Sequence, residues 1–124
     1  MLTVESLAID AADPERLAAF WAALLGWTVH VGAVGEADEG EVWIEAPGPA
    51  SRTDILFVPS ADQRQGKNRL HLDLRPDDRD AQVERALELG AARVEIGQSG
   101  EESWVVLADP EGNEFCILQA RSGA

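Results

Sequence analysis

The chain repeats itself once, and that repeat limits its fold more than any other feature. Each half offers a short apolar strand, an acidic turn, a helix closed by Leu-Gly, and then three more strand-like runs. The first half reads Ser6-Leu7-Ala8-Ile9-Asp10, then Ala12-Asp13-Pro14, then a helix ending at Leu25-Gly26. The second reads His71-Leu72-Asp73-Leu74-Arg75, then Asp77-Asp78, then a helix ending at Leu89-Gly90. Ser6 thus corresponds to His71 and Gly26 to Gly90, a spacing close to half of the 124 residues. The economical reading is α+β: two βαβββ modules in tandem, approximately 1–60 and 68–124, within one domain spanning 1–124. A chain of this length has room for one core and too little for two ordinary domains.

Local signals fix the helices. Asp13 is placed to cap the first, Pro14 sits where its missing N–H costs nothing, and Gly26 suits a left-handed terminus. Leu17, Phe20, Trp21, Leu24 and Leu25 follow the spacing of a buried stripe. Ala18, Ala19, Ala22 and Ala23 make up the other face, which either packs against another element or subunit or simply uses alanine as a helix former. The second helix is expected from about Asp78 to Leu89, burying Val83, Ala86, Leu87 and Leu89. Strands are expected at Thr3–Ile9, Trp27–Val34, Glu41–Glu45, Asp54–Val58, Arg69–Arg75, Arg93–Gly97, Ser103–Ala108 and Glu114–Gln119. Gly35–Gly40 and Ala61–Lys67 are polar loops, the second joining the modules.

One strand carries the main functional signal. Along Arg69–Arg75 the residues alternate without a break, which puts Leu70, Leu72 and Leu74 on one side. Arg69, His71, Asp73 and Arg75 then share the other side, lining a cavity or facing water. On the first strand Ser6, Ala8 and Asp10 oppose Leu7 and Ile9; on the last, Glu114, Cys116 and Leu118 oppose Phe115 and Ile117. If the polar sides face inward, Asp10, Asp73 and Glu114 bring acids to one concavity, with His71 and Arg69 among them.

Charge and cysteine content exclude several partners. There are 23 acids against 10 bases, a formal charge of −13, which repels nucleic-acid phosphates and anionic lipid. The single cysteine, Cys116, rules out an intrachain disulfide and any Cys-rich zinc motif. The apolar stretch Leu17–Val29 is too short to span a bilayer, and MLTVESLAID lacks the basic start of a signal peptide. The expectation is a soluble, cytoplasmic protein.

Three segments resemble the vicinal-oxygen-chelate superfamily of glyoxalase I, extradiol dioxygenases and bleomycin-resistance proteins, and within it the small glyoxalase-like domains common in actinobacteria. They are Ala12-Asp13-Pro14-Glu15-Arg16-Leu17-Ala18-Ala19-Phe20-Trp21 with Leu24-Leu25-Gly26-Trp27; Lys67-Asn68-Arg69-Leu70-His71-Leu72-Asp73-Leu74; and Trp104 to Cys116, which contains the turn Asp109-Pro110-Glu111-Gly112-Asn113. The resemblance covers nearly the whole chain. It implies paired βαβββ modules curling a mixed sheet around a cavity, frequently as homodimers. Metal-using relatives place one ligand on each module's first strand and a carboxylate on each module's last, so that the ion can chelate adjacent substrate oxygens. Here those positions fall on Ser6, His71, Cys116 and, in the first module, Ile55, with Asp54 the nearest acid but on the opposite face. A hydroxyl, an imidazole, a thiol and a hydrocarbon do not make that centre, so no metal or other cofactor is expected.

What the resemblance then implies is a metal-free small-molecule-binding protein, of the drug-sequestering kind, with a cationic or aromatic ligand. Capture requires affinity and no transition-state chemistry, so losing the metal is no handicap. The candidate ligand-binding residues are His71, Arg69, Asp73, Asp10, Ser6, Trp43, Trp104, Glu114 and Cys116. Trp43 and Trp104 occupy comparable places in the two modules and offer flat surfaces to a planar or cationic guest. Cys116 reads either as a small packed hydrophobe or, with His71, as a nucleophile. The alternatives are a lyase, isomerase or dioxygenase using His71 as base or as part of an unusual metal site, and a homodimer with a vestigial cavity. His30 is given no role.

Overall fold

In a computed structural model of the protein, residues 1–31, 40–48, 53–62, 66, 68–94 and 103–121 are described. The chain forms two compact units, Met1–Gln63 and Arg64–Ala124. The boundary lies in the polar stretch expected to join the modules.

The first unit runs β1 (Ser6–Ala11), α1 (Pro14–Leu25), β2 (Thr28–Val31), β3 (Val42–Glu45) and β4 (Asp54–Pro59). Its sheet has the order β1-β4-β3-β2, with β1 parallel to β4 and the other pairs antiparallel. The helix is closed at both ends by the residues its sequence nominates. The Asp13 carboxylate accepts from the Arg16 N–H at 3.2 Å, Pro14 opens the first turn, and Gly26 takes φ 73°. That left-handed residue lets its own N–H and that of Trp27 both donate to the Ala22 carbonyl, at 2.8 and 2.9 Å. Leu17, Phe20 and Trp21 are buried, as are Val42, Ile44, Ile55 and Phe57 from β3 and β4, and α1 packs on these strands. Phe20 and Trp21 meet edge to face with ring centroids 5.3 Å apart.

Of the four alanines on the second face of α1, two pack into the core and belong to the reading in which that face meets another element. Ala18 is 0% and Ala22 5% exposed, while Ala19 faces water. The buried stripe of α1 is therefore wider than the large residues alone mark out.

The second unit repeats the plan with β5 (Asp73–Leu74), α2 (Arg79–Leu89), β6 (Ala92–Arg93), β7 (Trp104–Ala108) and β8 (Glu114–Leu118), in the order β5-β8-β7-β6. β5 is parallel to β8 and the other pairs are antiparallel. Asp78 caps α2, accepting from the Ala81 N–H at 3.1 Å. Val83 and Ala86 of α2 are buried, as are Leu107, Phe115 and Ile117 of the sheet. The expected α+β class and the paired βαβββ modules are what the structure contains, the eight strands among the described residues being divided between two four-stranded mixed sheets. None of the described helices is long and apolar enough to cross a membrane.

Most strands fall where the alternation places them, shifted by a few residues at their ends. Parts of the expected strands Trp27–Val34 and Arg93–Gly97, and most of the loop Gly35–Gly40, lie outside the described residues. The clearest departure is Arg69–Arg75, of which only Asp73–Leu74 is a strand. Leu70, expected in the core beside Leu72 and Leu74, is 77% exposed. The register explains this. Asp73 pairs with Cys116 in parallel, so Arg69 and Leu70 run alongside Gly112 and Asn113, where the chain is turning into β8 and offers no ladder.

Candidate functional site

The turn before β8 is where the second unit's site is built. Asp109, 4% exposed, holds it together: Oδ1 accepts from the N–H groups of Glu111 (2.9 Å) and Asn113 (3.0 Å), and both carboxylate oxygens accept from Asn113 Nδ2. The Gly112 N–H donates to the Asp109 carbonyl at 2.8 Å, with φ 87° at Gly112, and the Asp109 N–H donates to the Asn113 carbonyl at 2.9 Å. So tightly satisfied a carboxylate fixes where β8 begins, and thereby which of its side chains share a face.

That face carries Glu114, Cys116 and Leu118. With Trp104 and Val106 of β7 and His71 and Asp73 they border a cavity of about 720 Å³, completed by Asn68 and Phe115. The volume suits a small organic molecule. Its wall is aromatic and aliphatic at one side, through Trp104, Val106 and Leu118, and ionisable at the other. His71 Nε2 lies 3.1 Å from Asp73 Oδ1, both side chains being about half exposed. Asp73 faces Cys116 across the ladder, and the Cys116 N–H donates to the Leu72 carbonyl at 2.9 Å. The Cys116 thiol is pushed above its ordinary range, first by burial, then by the charge of Asp73 and a hydrogen bond to it, then by the charge of Glu114. It is therefore a protonated thiol at neutral pH, which argues against the His71–Cys116 nucleophile.

Five of the nine expected site residues line this cavity: His71, Asp73, Trp104, Glu114 and Cys116. Arg69 is exposed beside the turn and does not line it. Ser6, Asp10 and Trp43 belong to the first unit. There Ser6 and Asp10 are exposed on β1, and the Trp43 ring stacks on His30, 5.3 Å apart and 14° from parallel. His30 Nε2 is 2.6 Å from Glu45 Oε2, so this histidine, given no role from the sequence, has an acidic and an aromatic partner on its own sheet. Leu118 was legible as a neighbour of Cys116 by alternation, and Val106 as the residue two beyond Trp104. Asn68, before the strand, and Phe115, of the core face, carried no such signal.

The two ladders also test the likeness between modules. Asp73 pairs with Cys116 five residues before the cap Asp78; Ala8 pairs with Leu56 five residues before the cap Asp13. The first-unit counterpart of Cys116 is thus Leu56, not Ile55, which is buried in the core. Trp43 pairs with Leu56 and so corresponds to Val106, leaving Trp43 and Trp104 two residues out of equivalence, though on the same face of their strands. Ser6, Leu56, His71 and Cys116 do not supply the donors of a four-ligand centre, since one of the four is a hydrocarbon and another a hydroxyl.

A family model described as a glyoxalase-like domain matches residues 6–118. The chain belongs to this family. As a glyoxalase-like domain it is a member of the vicinal-oxygen-chelate superfamily, and solved structures of that group share its fold. One is a glyoxalase/bleomycin resistance protein/dioxygenase family enzyme from Burkholderia phytofirmans PsJN, 18% identical over 97% of this chain and 100% of that one, with a TM-score of 0.71. A second is TnmS3, an antibiotic-binding protein from Streptomyces sp. CB03234, 21% identical over 98% of both chains, TM-score 0.63. A third is the fosfomycin resistance protein FosX from Mesorhizobium loti, 12% identical over 98% and 94%, TM-score 0.68. At these identities the likeness is one of fold. No curated protein matches the sequence.

Proposed function

We propose that this glyoxalase-like domain captures a small cationic, aromatic molecule in the second-unit cavity, holding it by side chains alone. The observation that carries the proposal is the pairing, in one cavity of about 720 Å³, of the Trp104 ring with the carboxylates of Asp73 and Glu114. A planar cation gains stacking and cation–π contact from the indole, at about 0.5–2 kcal/mol, and charge complementarity from the acids. The net charge of −13 attracts such a guest over longer range. An antibiotic-binding protein among the structures of this fold supports capture as a use of it.

Titrating the tryptophan fluorescence with planar organic cations, and with neutral and anionic compounds of the same shape, tests this. Saturable one-to-one quenching by cations, reduced in Trp104→Phe and in Asp73→Asn, is expected. Equal response to all three classes, or none to any, overturns it.

A second reading, a lyase or isomerase in which His71 moves a proton, is favoured by the 3.1 Å contact between His71 Nε2 and Asp73. The carboxylate would hold Nε2–H and leave Nδ1 as the base. Exchange of a bound ligand's acidic C–H for deuterium in D2O, lost in His71→Gln, would establish that reading over capture.

A further inference from the structure

We infer that His30 is a proton-operated cover for the Trp43 ring. The protonated imidazole is held over the indole by Glu45 and the neutral one lets go, so access of small molecules to the ring rises with pH. Strand register builds the group. His30 and Trp43 are directly opposed in the antiparallel β2–β3 pair, and Glu45, paired with Thr28, is the diagonal neighbour on the same face. The imidazole stacks on the indole with centroids 5.3 Å apart and planes 14° from parallel, and its Nε2 lies 2.6 Å from Glu45 Oε2. Protonation strengthens both contacts at once, the stack by cation–π attraction and the bridge by charge. A neutral imidazole keeps only a weaker stack and an ordinary Nε2–H donation. The two side chains are 39% and 29% exposed, so water can replace that donation. The ratio of covered to open ring should therefore fall by at least about two- to fivefold as His30 loses its proton.

The other charges on this face are of one sign. Glu41 beside β3, Glu45 on β3, Asp54 on β4 and Asp10 on β1 share the side that carries His30. No lysine or arginine stands among the described residues of that side, so protonated His30 is its one cation there. α1 packs on the opposite side, the one carrying Val29 and Ile44, which puts its Glu15 and Arg16 across the sheet from the imidazole. The second unit does not repeat the group, since Val106 and Ala108 stand where Trp43 and Glu45 do. The inference does not rest on the capture proposed for that unit, because its test reads first-unit side chains alone.

The chain has two histidines, so proton–carbon NMR spectra hold two imidazole sets, and His71→Gln identifies the other one. In wild-type protein the nuclear Overhauser contact between the His30 ring and the Trp43 ring should be strong at pH 5 and weaker at pH 8.5. The ring current of Trp43, read as the difference in His30 Hε1 shift between wild type and Trp43→Leu, should shrink over the same range. Glu45→Gln should shrink it already at pH 5. Acrylamide quenching due to Trp43, the difference between wild type and Trp43→Phe, should rise with pH, and in His30→Ala should be high throughout. Circular dichroism and thermal melting of each variant separate loss of the cover from loss of the fold, and the wild-type contact needs no variant. A His30–Trp43 contact that is absent or equal at both pH values overturns the inference. So does acrylamide access that ignores pH in wild type or follows it equally in His30→Ala.

Discussion

Asp73 and Cys116 face each other across the parallel β5–β8 ladder, where burial first, and then the charge and hydrogen bonding of Asp73, raise the thiol above its ordinary range. The Glu114 charge acts in the same direction. The thiol should therefore react slowly with iodoacetamide at pH 7, with a rate midpoint above the ordinary thiol range. Asp73→Asn should lower that midpoint. Linkage gives the sign for stability: a raised acid holds its proton more tightly folded than unfolded. Its contribution is complete below the unfolded thiol value and is lost as pH rises toward the folded one. Urea melts between pH 7 and 10 should show this loss, and Cys116→Ser should remove its share.

Asp109 organises the turn that sets β8. Asp109→Ala leaves two backbone N–H groups and the Asn113 amide without their acceptor, at a cost of about 2–4 kcal/mol. Asp109→Asn keeps one carbonyl oxygen and should cost less. Denaturant unfolding measures both. The alanine variant should also bind the cationic guest more weakly, since Glu114, Cys116 and Leu118 depend on that register.

Alternation made much of the site legible, because it is a geometric property of any strand: Glu114, Cys116 and Leu118 fall on one face of β8 and line one cavity. It failed at Leu70 because alternation says nothing about where a ladder partner runs out. The Asp109–Asn113 turn, visible in the sequence, decides that, but only once the Asp73–Cys116 register is known. Pairing is also what moves the counterpart of Cys116 from Ile55 to Leu56 and separates Trp43 from Trp104. The His30–Trp43–Glu45 group escaped for the same reason: its members come from adjacent strands whose register the sequence does not state.

Ala22 and Ala19 are three residues apart on α1 and should respond oppositely to a charge. Ala22→Glu would bury a carboxylate against the sheet, where Ala22 is 5% exposed, and should cost about 3 kcal/mol or more or prevent folding. Ala19→Glu, in water, should change stability by about 0.5 kcal/mol or less. Thermal melts compare the pair. An association-deficient Ala22→Glu protein would be uninformative about subunit contacts, because the side chain lies in the chain's own core.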